Sequence, residues 1–373
     1  MNTFFPEIKK NFGFGMMRLP MKEDGVDISQ TCAMVDAFLA AGFNYFDTAH
    51  GYIGGKSERA VKDCLTSRYP RESYILTDKL SPNFFKTEAD IRPYFDSMLE
   101  ACGVEYFDFF LLHSLHKGNY PHYTGNRAFA IAAELKAEGR VRHVGISFHD
   151  TAEVLETILS EQPVIEVVQL QFNYLDYEDE RVQSRLCYEV CVKYGKPVIV
   201  MEPVRGGSLV NIPAAGKDVL ESLDGGYSPA GYAIRYAASF DNIFMVLSGM
   251  SNMEQMEDNI RSMKDFTPFT DTEYAAVYRV AEIIRSIPTI PCTGCKYCVD
   301  GDHCPMSINI PSLFNAENKA RRFNTEDARG SYGWATSKGG KPADCIECGA
   351  CEDICPQQLP IRDLLKAIGE RFA

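Results

Sequence analysis

The sequence predicts an α/β protein in two parts, a (β/α)8 barrel over residues 1–285 and a small, mostly helical, cysteine-rich domain over 286–373. Three observations carry this reading. Short apolar runs alternate with longer amphipathic segments as far as residue 265, glycines punctuate the alternation, and eight of the 13 cysteines crowd into the last part of the chain. The runs at 12–19, 43–47, 74–79, 107–113, 141–147, 164–171, 197–201 and 244–247 read as strands, because they are β-rich and almost continuously apolar, as strands covered on both faces are. The segments 57–68, 89–102, 128–138, 152–159 and 180–194 carry helical spacing. Gly42, Gly103, Gly139 and Gly195 fall where helices should stop, each just before the next strand. Eight such strands with helices between them point to a parallel sheet closed on itself. An open doubly wound sheet is the competing architecture, but no G-x-G-x-x-G follows the first strand: Gly13-Phe14-Gly15 lies inside it and the third glycine is missing.

The texture changes at 286–291, where Pro288 and Pro291 break the preceding helix and the cysteine region begins at Cys292. The formal charge is -13, and because the stretch from Cys292 onward holds 10 basic and 11 acidic residues, the acidity belongs to the barrel. That charge repels a phosphate backbone and argues against general nucleic-acid binding. No stretch of 18 apolar residues occurs, since even 106–115 contains Asp108 and His113, so no membrane span is expected. The start, MNTFFPEIKK, lacks a basic stretch followed by an apolar one, and the expected compartment is the cytoplasm. Residues 330–342 are glycine-rich enough to read as a flexible connector.

In a reducing compartment a crowd of cysteines reads as metal ligation. The second run, Cys345-x2-Cys348-x2-Cys351-x3-Cys355-Pro356, has the spacing of bacterial two-cluster ferredoxins. The first, Cys292-x2-Cys295-x2-Cys298-x5-Cys304-Pro305, is two residues longer before its last cysteine. Three thiolates at three-residue spacing let one tight loop hold three irons of a cubane, and the Cys-Pro of the other run can reach the fourth. On that crossed scheme Cys292, Cys295, Cys298 and Cys355 hold one [4Fe–4S] cluster, and Cys345, Cys348, Cys351 and Cys304 hold the other. Cys304-Pro-Met-Ser-Ile-Asn-Ile-Pro-Ser-Leu-Phe also parallels Cys355-Pro-Gln-Gln-Leu-Pro-Ile-Arg-Asp-Leu-Leu. This internal repeat predicts that each copy leaves its cluster into a helix, with Ser312 or Arg362 in the first turn. The other reading is a pair of zinc knuckles, but zinc takes four ligands, usually as two pairs, whereas these are triplets closed by Cys-Pro.

In a barrel, chemistry sits at the C-terminal ends of the strands. Those ends carry Asp47, then Tyr52 in the following loop, Lys79 and His113. Singly they read equally well as a helix cap, loop packing, a solvated strand end and a structural histidine; at consecutive strand ends they read together as a site.

The segment 46–58, Phe-Asp-Thr-Ala-His-Gly-Tyr-Ile-Gly-Gly-Lys-Ser-Glu, with Lys79 and Leu111-Leu112-His113, resembles the aldo-keto reductases. Given the cysteine runs, the resemblance is to an iron–sulfur member of that family. It implies that Tyr52 is the general acid, Lys79 the cation that lowers its pKa, Asp47 the residue that holds Lys79, and His113 the group that orients a substrate carbonyl. A free tyrosine titrates near 10, so bringing it toward neutrality takes ~2–3 pKa units, or roughly 3–4 kcal/mol. The same resemblance implies that Ser147 and Gln169 bind a nicotinamide carboxamide. It sets the exit of the seventh strand, Met201-Glu-Pro-Val-Arg205, beside the cofactor, without the aromatic stack that many relatives have at the position of Met201. It also makes the stretch from Gly249 through Ser251 and Gln255 to Asn259 the dinucleotide-binding loop and helix, an ordinary capped barrel helix being the structural alternative. Gly249 and Gln255 stand where NADP-selective members have Lys and Arg, which leaves NADP or NAD open.

The expected function is nicotinamide-dependent reduction of a small carbonyl, or oxidation of an alcohol, by a barrel fused to a two-cluster domain. Nicotinamides move two electrons as hydride and clusters move one at a time, and the sequence shows no flavin site to convert between them. The clusters are then structural, redox-sensing, or an entry port for a ferredoxin or flavodoxin-type partner. The competing expectation is an electron-transfer iron–sulfur protein whose barrel is a docking or cofactor-sensing scaffold. An intact set of four polar groups argues against it.

Overall fold

The computed structural model describes residues 4–23, 25–299 and 303–373. Residues 1–3 of the segment read for a leader lie outside the described residues. The chain divides into two compact units, Met1–Gly206 with Ala230–Val277, and Gly207–Pro229 with Tyr278–Ala373.

In the first unit the described residues form a closed parallel barrel of β1 (Phe12–Gly15), β2 (Tyr45–Asp47), β3 (Ile75–Leu80), β4 (Phe107–Leu115), β5 (Val141–Phe148), β6 (Val167–Gln171), β7 (Val198–Met201) and β8 (Ile243–Gly249), each paired with its chain neighbour and β8 with β1. This is the eight-stranded closure expected, so the open doubly wound sheet is excluded. The interior is filled by Tyr45, Ile75, Phe109, Leu111, Val167, Ile199 and Met245, with Phe5 from the amino-terminal segment packed edge-on to Phe109 at 5.1 Å. Gly145 on β5 is forced by this filling, since a Cβ there would stand 2.5 Å from Val167 Cγ2 and 2.6 Å from the Val167 carbonyl.

The helices of the barrel are α1 (Ile28–Ala40), α2 (Lys56–Val61), α3 (Glu88–Cys102), α4 (Tyr120–Gly125), α5 (Ala128–Ala137), α6 (Ala152–Glu161), α7 (Ser184–Lys193), α9 (Pro229–Ala238) and α10 (Met253–Met263), with α8 (Ala214–Glu221) in the segment that joins the second unit and α11 (Asp271–Ser286) spanning the break between units. α1, not foreseen from the sequence, buries Thr31, Met34, Val35 and Phe38 on one face and starts at Asp27, whose side chain accepts from the Gln30 amide. Gly103, left-handed at φ 66°, ends α3 as expected. Three expected elements differ. The helix read over 57–68 is α2 followed by a π-turn at Lys62–Thr66. The helix read from 180 starts at Ser184, because Asp179 accepts from the Arg181 and Val182 amides and Gln183 is left-handed at φ 54°. The first strand ends at Gly15 instead of 19, where Met16–Arg18 tightens into a 3-10 turn.

The second unit contains α12 (Ile310–Arg322), α13 (Thr325–Thr336), α14 (Ala350–Asp353) and α15 (Ile361–Arg371) around a core of Ile308, Ile310, Phe314, Ile361, Leu365 and Ile368. The expected flexible connector at 330–342 is corrected here: α13 runs through Gly330 and Gly333 to Thr336. Asn324 caps it by accepting from Asp327, and Ala328 and Ala335 are buried in the core, so capping and packing outweigh the two glycines. The segment 207–229 is tied in by the Asn211 side-chain amide, which donates to Asp327 at 3.1 Å. No helix among the described residues is long and apolar enough to cross a membrane.

Candidate functional site

The barrel register sets Gly15, Asp47 and Thr77 side by side, then Lys79 beside Leu111, and Ser147 beside Gln169. Asp47, Lys79, Ser147 and Gln169 are buried. Lys79 Nζ donates to Asp47 Oδ1 at 2.5 Å and to the Thr48 carbonyl at 2.7 Å. The ammonium lies 4.9 Å from the centre of the Tyr52 ring, and that ring meets His113 edge-on at 5.8 Å. The structure thus brings all four residues read from the strand ends into one cluster.

The turn that carries Tyr52 is strained. Ile53, Gly54 and Gly55 take φ of 53°, 63° and 82° in succession, and for a β-branched residue such as Ile53 that is a rare conformation of the kind held at functional sites. A buried network holds it: Thr48 Oγ1 and Ser57 Oγ lie 2.7 Å apart, and Ser57 Oγ donates to the Met16 carbonyl at 2.9 Å. On β4, His113 Nδ1 is 2.6 Å from Ser81 Oγ, and the Tyr123 hydroxyl donates to the His113 carbonyl at 2.7 Å. Ser114, left-handed at φ 58°, donates its amide to Ser147 Oγ at 2.6 Å, which fixes the strand exit beside His113.

Burial and the Lys79 charge pull Tyr52 in opposite directions. Burial raises the Tyr52 phenol above its ordinary value, and the Lys79 charge, although it pulls the other way, does not reverse this. Asp47 is likewise raised by burial against the pull of Lys79. Burial, with the positive charge of Lys79, pushes His113 down to about 3, so this imidazole is neutral.

The residues read as cofactor contacts are placed as follows. Gln169 Nε2 donates to Asp47 Oδ2 at 3.2 Å, and half-buried Met201 ends β7. Arg205 Nε donates to Asp176 at 2.9 Å. Glu202 and Arg205, both left-handed at φ 59° and 52°, give that exit a sharp path. Ser251 Oγ donates to the Arg18 carbonyl, Gln255 Oε1 accepts from the Ser251 amide, and Asn259 Nδ2 donates to Ser248 Oγ. These three polar groups therefore brace the loop and α10. The Arg18 stem occupies the space beside Gly249, 3.3 Å from where a Cβ would stand. Thr48, Ser57, Ser81 and Arg18 were not legible as site residues, because their partners are distant in the chain.

In the second unit the eight cysteines line two cavities in two sets. One collects Cys292, Cys295, Cys298 and Cys355. The other collects Cys304, Cys345, Cys348 and Cys351. The backbone repeats with the sequence. Gly294 and Lys296 are left-handed in the first run at φ 70° and 65°, as are Glu347 and Gly349 in the second at 55° and 81°. Ser307 and Gln358, each three residues past its Cys-Pro cysteine, follow suit at 52° and 49°. Alternating handedness of this kind turns successive N–H groups into one concavity, which suits an anionic ligand. Burial pushes the thiols of Cys298 and Cys351 up to about 11, so thiolates there call for a strong local positive charge. Four sulfurs, alternating backbone handedness and apolar walls fit an iron–sulfur cluster in each cavity.

Comparison with known proteins finds two families along the chain. The aldo/keto reductase family model matches residues 11–282, and a 4Fe-4S dicluster domain model matches 291–359. The chain is 23% identical over 294 residues to an NADH-specific methylglyoxal reductase of Escherichia coli, across 67% of this chain and 88% of that protein. Among solved structures, an aldo-keto reductase from Bacillus halodurans in its holo form superposes with a TM-score of 0.61 at 25% identity, over 72% of this chain and 91% of that one. An aldo-keto reductase from Klebsiella pneumoniae in complex with NADPH superposes with a TM-score of 0.59 at 18% identity, over 73% and 90%.

Proposed function

The chain belongs to the aldo/keto reductase family and carries a 4Fe-4S dicluster domain, and from that premise we propose that it reduces a small carbonyl compound, or oxidises the corresponding alcohol, with NADP or NAD. The observation that carries the reading is the Tyr52 ring 4.9 Å from a buried ammonium that Asp47 holds at 2.5 Å. Tyr52 donates the proton that the carbonyl oxygen takes up. A phenol raised by burial holds that proton at neutral pH, which suits an acid in the reductive direction. Lys79 lowers the cost of the phenolate left behind, and Asp47 with the Thr48 carbonyl keeps the ammonium charged and fixed. Neutral His113, held through Nδ1 by Ser81 Oγ at 2.6 Å, turns its other ring nitrogen to the substrate oxygen to orient it.

The nicotinamide, when bound, supplies the hydride. Ser147 and Gln169 would hold its carboxamide, and Met201, Arg205 and the loop from Gly249 through Ser251 and Gln255 to Asn259 would border the dinucleotide. Cys292, Cys295, Cys298 and Cys355 would hold one [4Fe–4S] cluster and Cys304, Cys345, Cys348 and Cys351 the other. Such clusters, when bound, supply one-electron couples, for which a ferredoxin or flavodoxin-type protein is the partner. The reductase part is 1–285 and the cluster part 286–373, a division supported by the matches at 11–282 and 291–359, with Gly207–Pro229 a piece of barrel sequence that packs with the cluster part. Eight ligating thiols favour a reducing compartment, the cytoplasm.

The test is Tyr52→Phe, assayed with methylglyoxal and with NADPH and NADH in parallel. Loss of a positioned acid lowers turnover by ~10²–10⁴-fold. Unchanged turnover removes the enzymatic reading and leaves the electron-transfer one.

A further inference from the structure

Behind Lys79, on the outer side of the barrel wall, lies a second group of acids that this mechanism does not use. Glu58 on α2, Asp78 on β3 and Cys102 at the end of α3 are buried, and one ligand atom from each lies within 4.8 Å of the others. Asp78 Oδ1 accepts from the Lys79 amide at 2.8 Å, and Asp78 Oδ2 accepts from Cys102 Sγ at 3.5 Å. Glu58 Oε2 meets His50 Nδ1 at 2.9 Å. Glu58 Oε1 is buried with no hydrogen-bond donor. Two carboxylates so close in a dry pocket repel, and one partnerless acceptor beside another acid is what a missing proton leaves.

We propose that Glu58 and Asp78 share one proton, and that this carboxyl pair is a positioning device tying the turn of Tyr52 to the strand of Lys79. Glu58 sits six residues after Tyr52 on the helix that the strained turn leads into. Asp78 immediately precedes Lys79, and neighbours on a strand face opposite ways. A bond on the outer face therefore fixes the strand whose inner face carries the ammonium. The inner tie is Lys79 to Asp47 and Thr48; the Glu58–Asp78 bond is the outer one. Around the pair stand His50, Lys62, Tyr94, Cys102 and Lys79, and of the cations Lys79 turns its side chain to Asp47 on the inner face. Burial first, and then the facing Glu58, raise Asp78 well above the ordinary carboxylate range, in keeping with a proton held there. A thiol and two carboxylates are also a possible donor set for a divalent cation, and the test separates the two.

The experiment is infrared difference spectroscopy on the purified, cluster-loaded protein at neutral pH, in water and heavy water, against Glu58→Gln and Asp78→Asn. The expected result is a protonated-carboxyl stretch that shifts in heavy water and vanishes in both variants. Absence of that band overturns the shared proton, and a stoichiometric non-iron metal lost from Asp78→Asn reassigns the group to a cation. The positioning role rests on the reading of Tyr52 and Lys79 as acid and cation, and kinetics test it. Asp78→Ala lowers kcat by ~10–100-fold with KM for the nicotinamide unchanged, as a misplacement of about 1 Å would. Asp78→Asn, which keeps a hydrogen bond to Glu58, restores kcat to within about threefold of the parent. Equal kcat in parent, Ala and Asn variants overturns the positioning role. Should Asp78→Ala fail to fold, Glu58→Gln against Glu58→Ala gives the same contrast. A parent protein without carbonyl turnover counts against the proposed function, while the infrared result still decides the pair.

Discussion

The barrel site and the cysteine cavities solve the same difficulty, charge in a dry place, in opposite ways. In the barrel site the buried charges meet counter-groups of the chain itself: Lys79 has Asp47 and the Thr48 carbonyl, and Asp47 also has Gln169. In the second unit eight thiols face two largely apolar cavities, and the third cysteine of each run is buried deeply enough to hold its proton up to about 11. The first site is organised before it binds anything. The second is completed by what it binds, as metal-coupled domains are.

The widest test of this contrast is iron removal. Chelation under reducing conditions is expected to unfold the second unit, seen as lost helix signal, while the barrel stays folded and, on the proposed function, still changes the fluorescence of added NADPH. Cys348→Ser alone should lower iron from about eight toward about four atoms per chain. Next in size is the barrel's own neutrality. Asp47→Ala leaves the Lys79 ammonium buried without its carboxylate, and denaturant unfolding should report a loss of about 3–5 kcal/mol.

A pH series sharpens the same point. His113, held neutral with its value pushed down to about 3 against 6.5 for a free imidazole, makes the unfolded state bind the extra proton between those values. Stability from this residue therefore falls as pH drops from about 6.5 toward 3, by at most about 1.4 kcal/mol per pH unit. Replacing His113 with Asn should flatten that part of the melting-temperature profile. The smallest effect is in the cysteine loops. Lys296 and Glu347 take left-handed backbone at φ 65° and 55° where the opposite run has Gly349 and Gly294. Lys296→Gly and Glu347→Gly should each be neutral or stabilising by up to about 1 kcal/mol in thermal melts of loaded protein.

What could be read from the sequence follows from where the information is local. Strand positions were legible because strands covered on both faces are apolar runs, and the four site residues because barrel strands end on one face. The two sets of cysteines around the cavities match the crossed grouping, since three-residue spacing and the Cys-Pro repeat are themselves sequence features. Approaches across the chain were not legible: Ser81 to His113, Glu58 to Asp78 within 4.8 Å, and Thr48 to Ser57 bring together segments that no local pattern connects. The weight of burial against Lys79 at Tyr52 was not legible for a related reason. The neighbouring cation is written in the motif, but the depth of burial that outweighs it is a property of the whole barrel. Helix α13 was misread because the glycines are local, whereas the core that Ala328 and Ala335 enter is not.

The interleaving of the two cysteine sets also has a consequence for synthesis. The first cavity has three of its thiols by residue 298 but gains the fourth only from Cys355. At translation speeds of 5–20 residues per second those three thiols wait roughly 3–11 s for their partner. During that interval the nascent chain offers a triplet able to take a stray metal ion or form a wrong disulfide. Cells that make this protein under oxidising or metal-rich conditions should therefore accumulate chains damaged at Cys292, Cys295 and Cys298 before those at Cys345, Cys348 and Cys351.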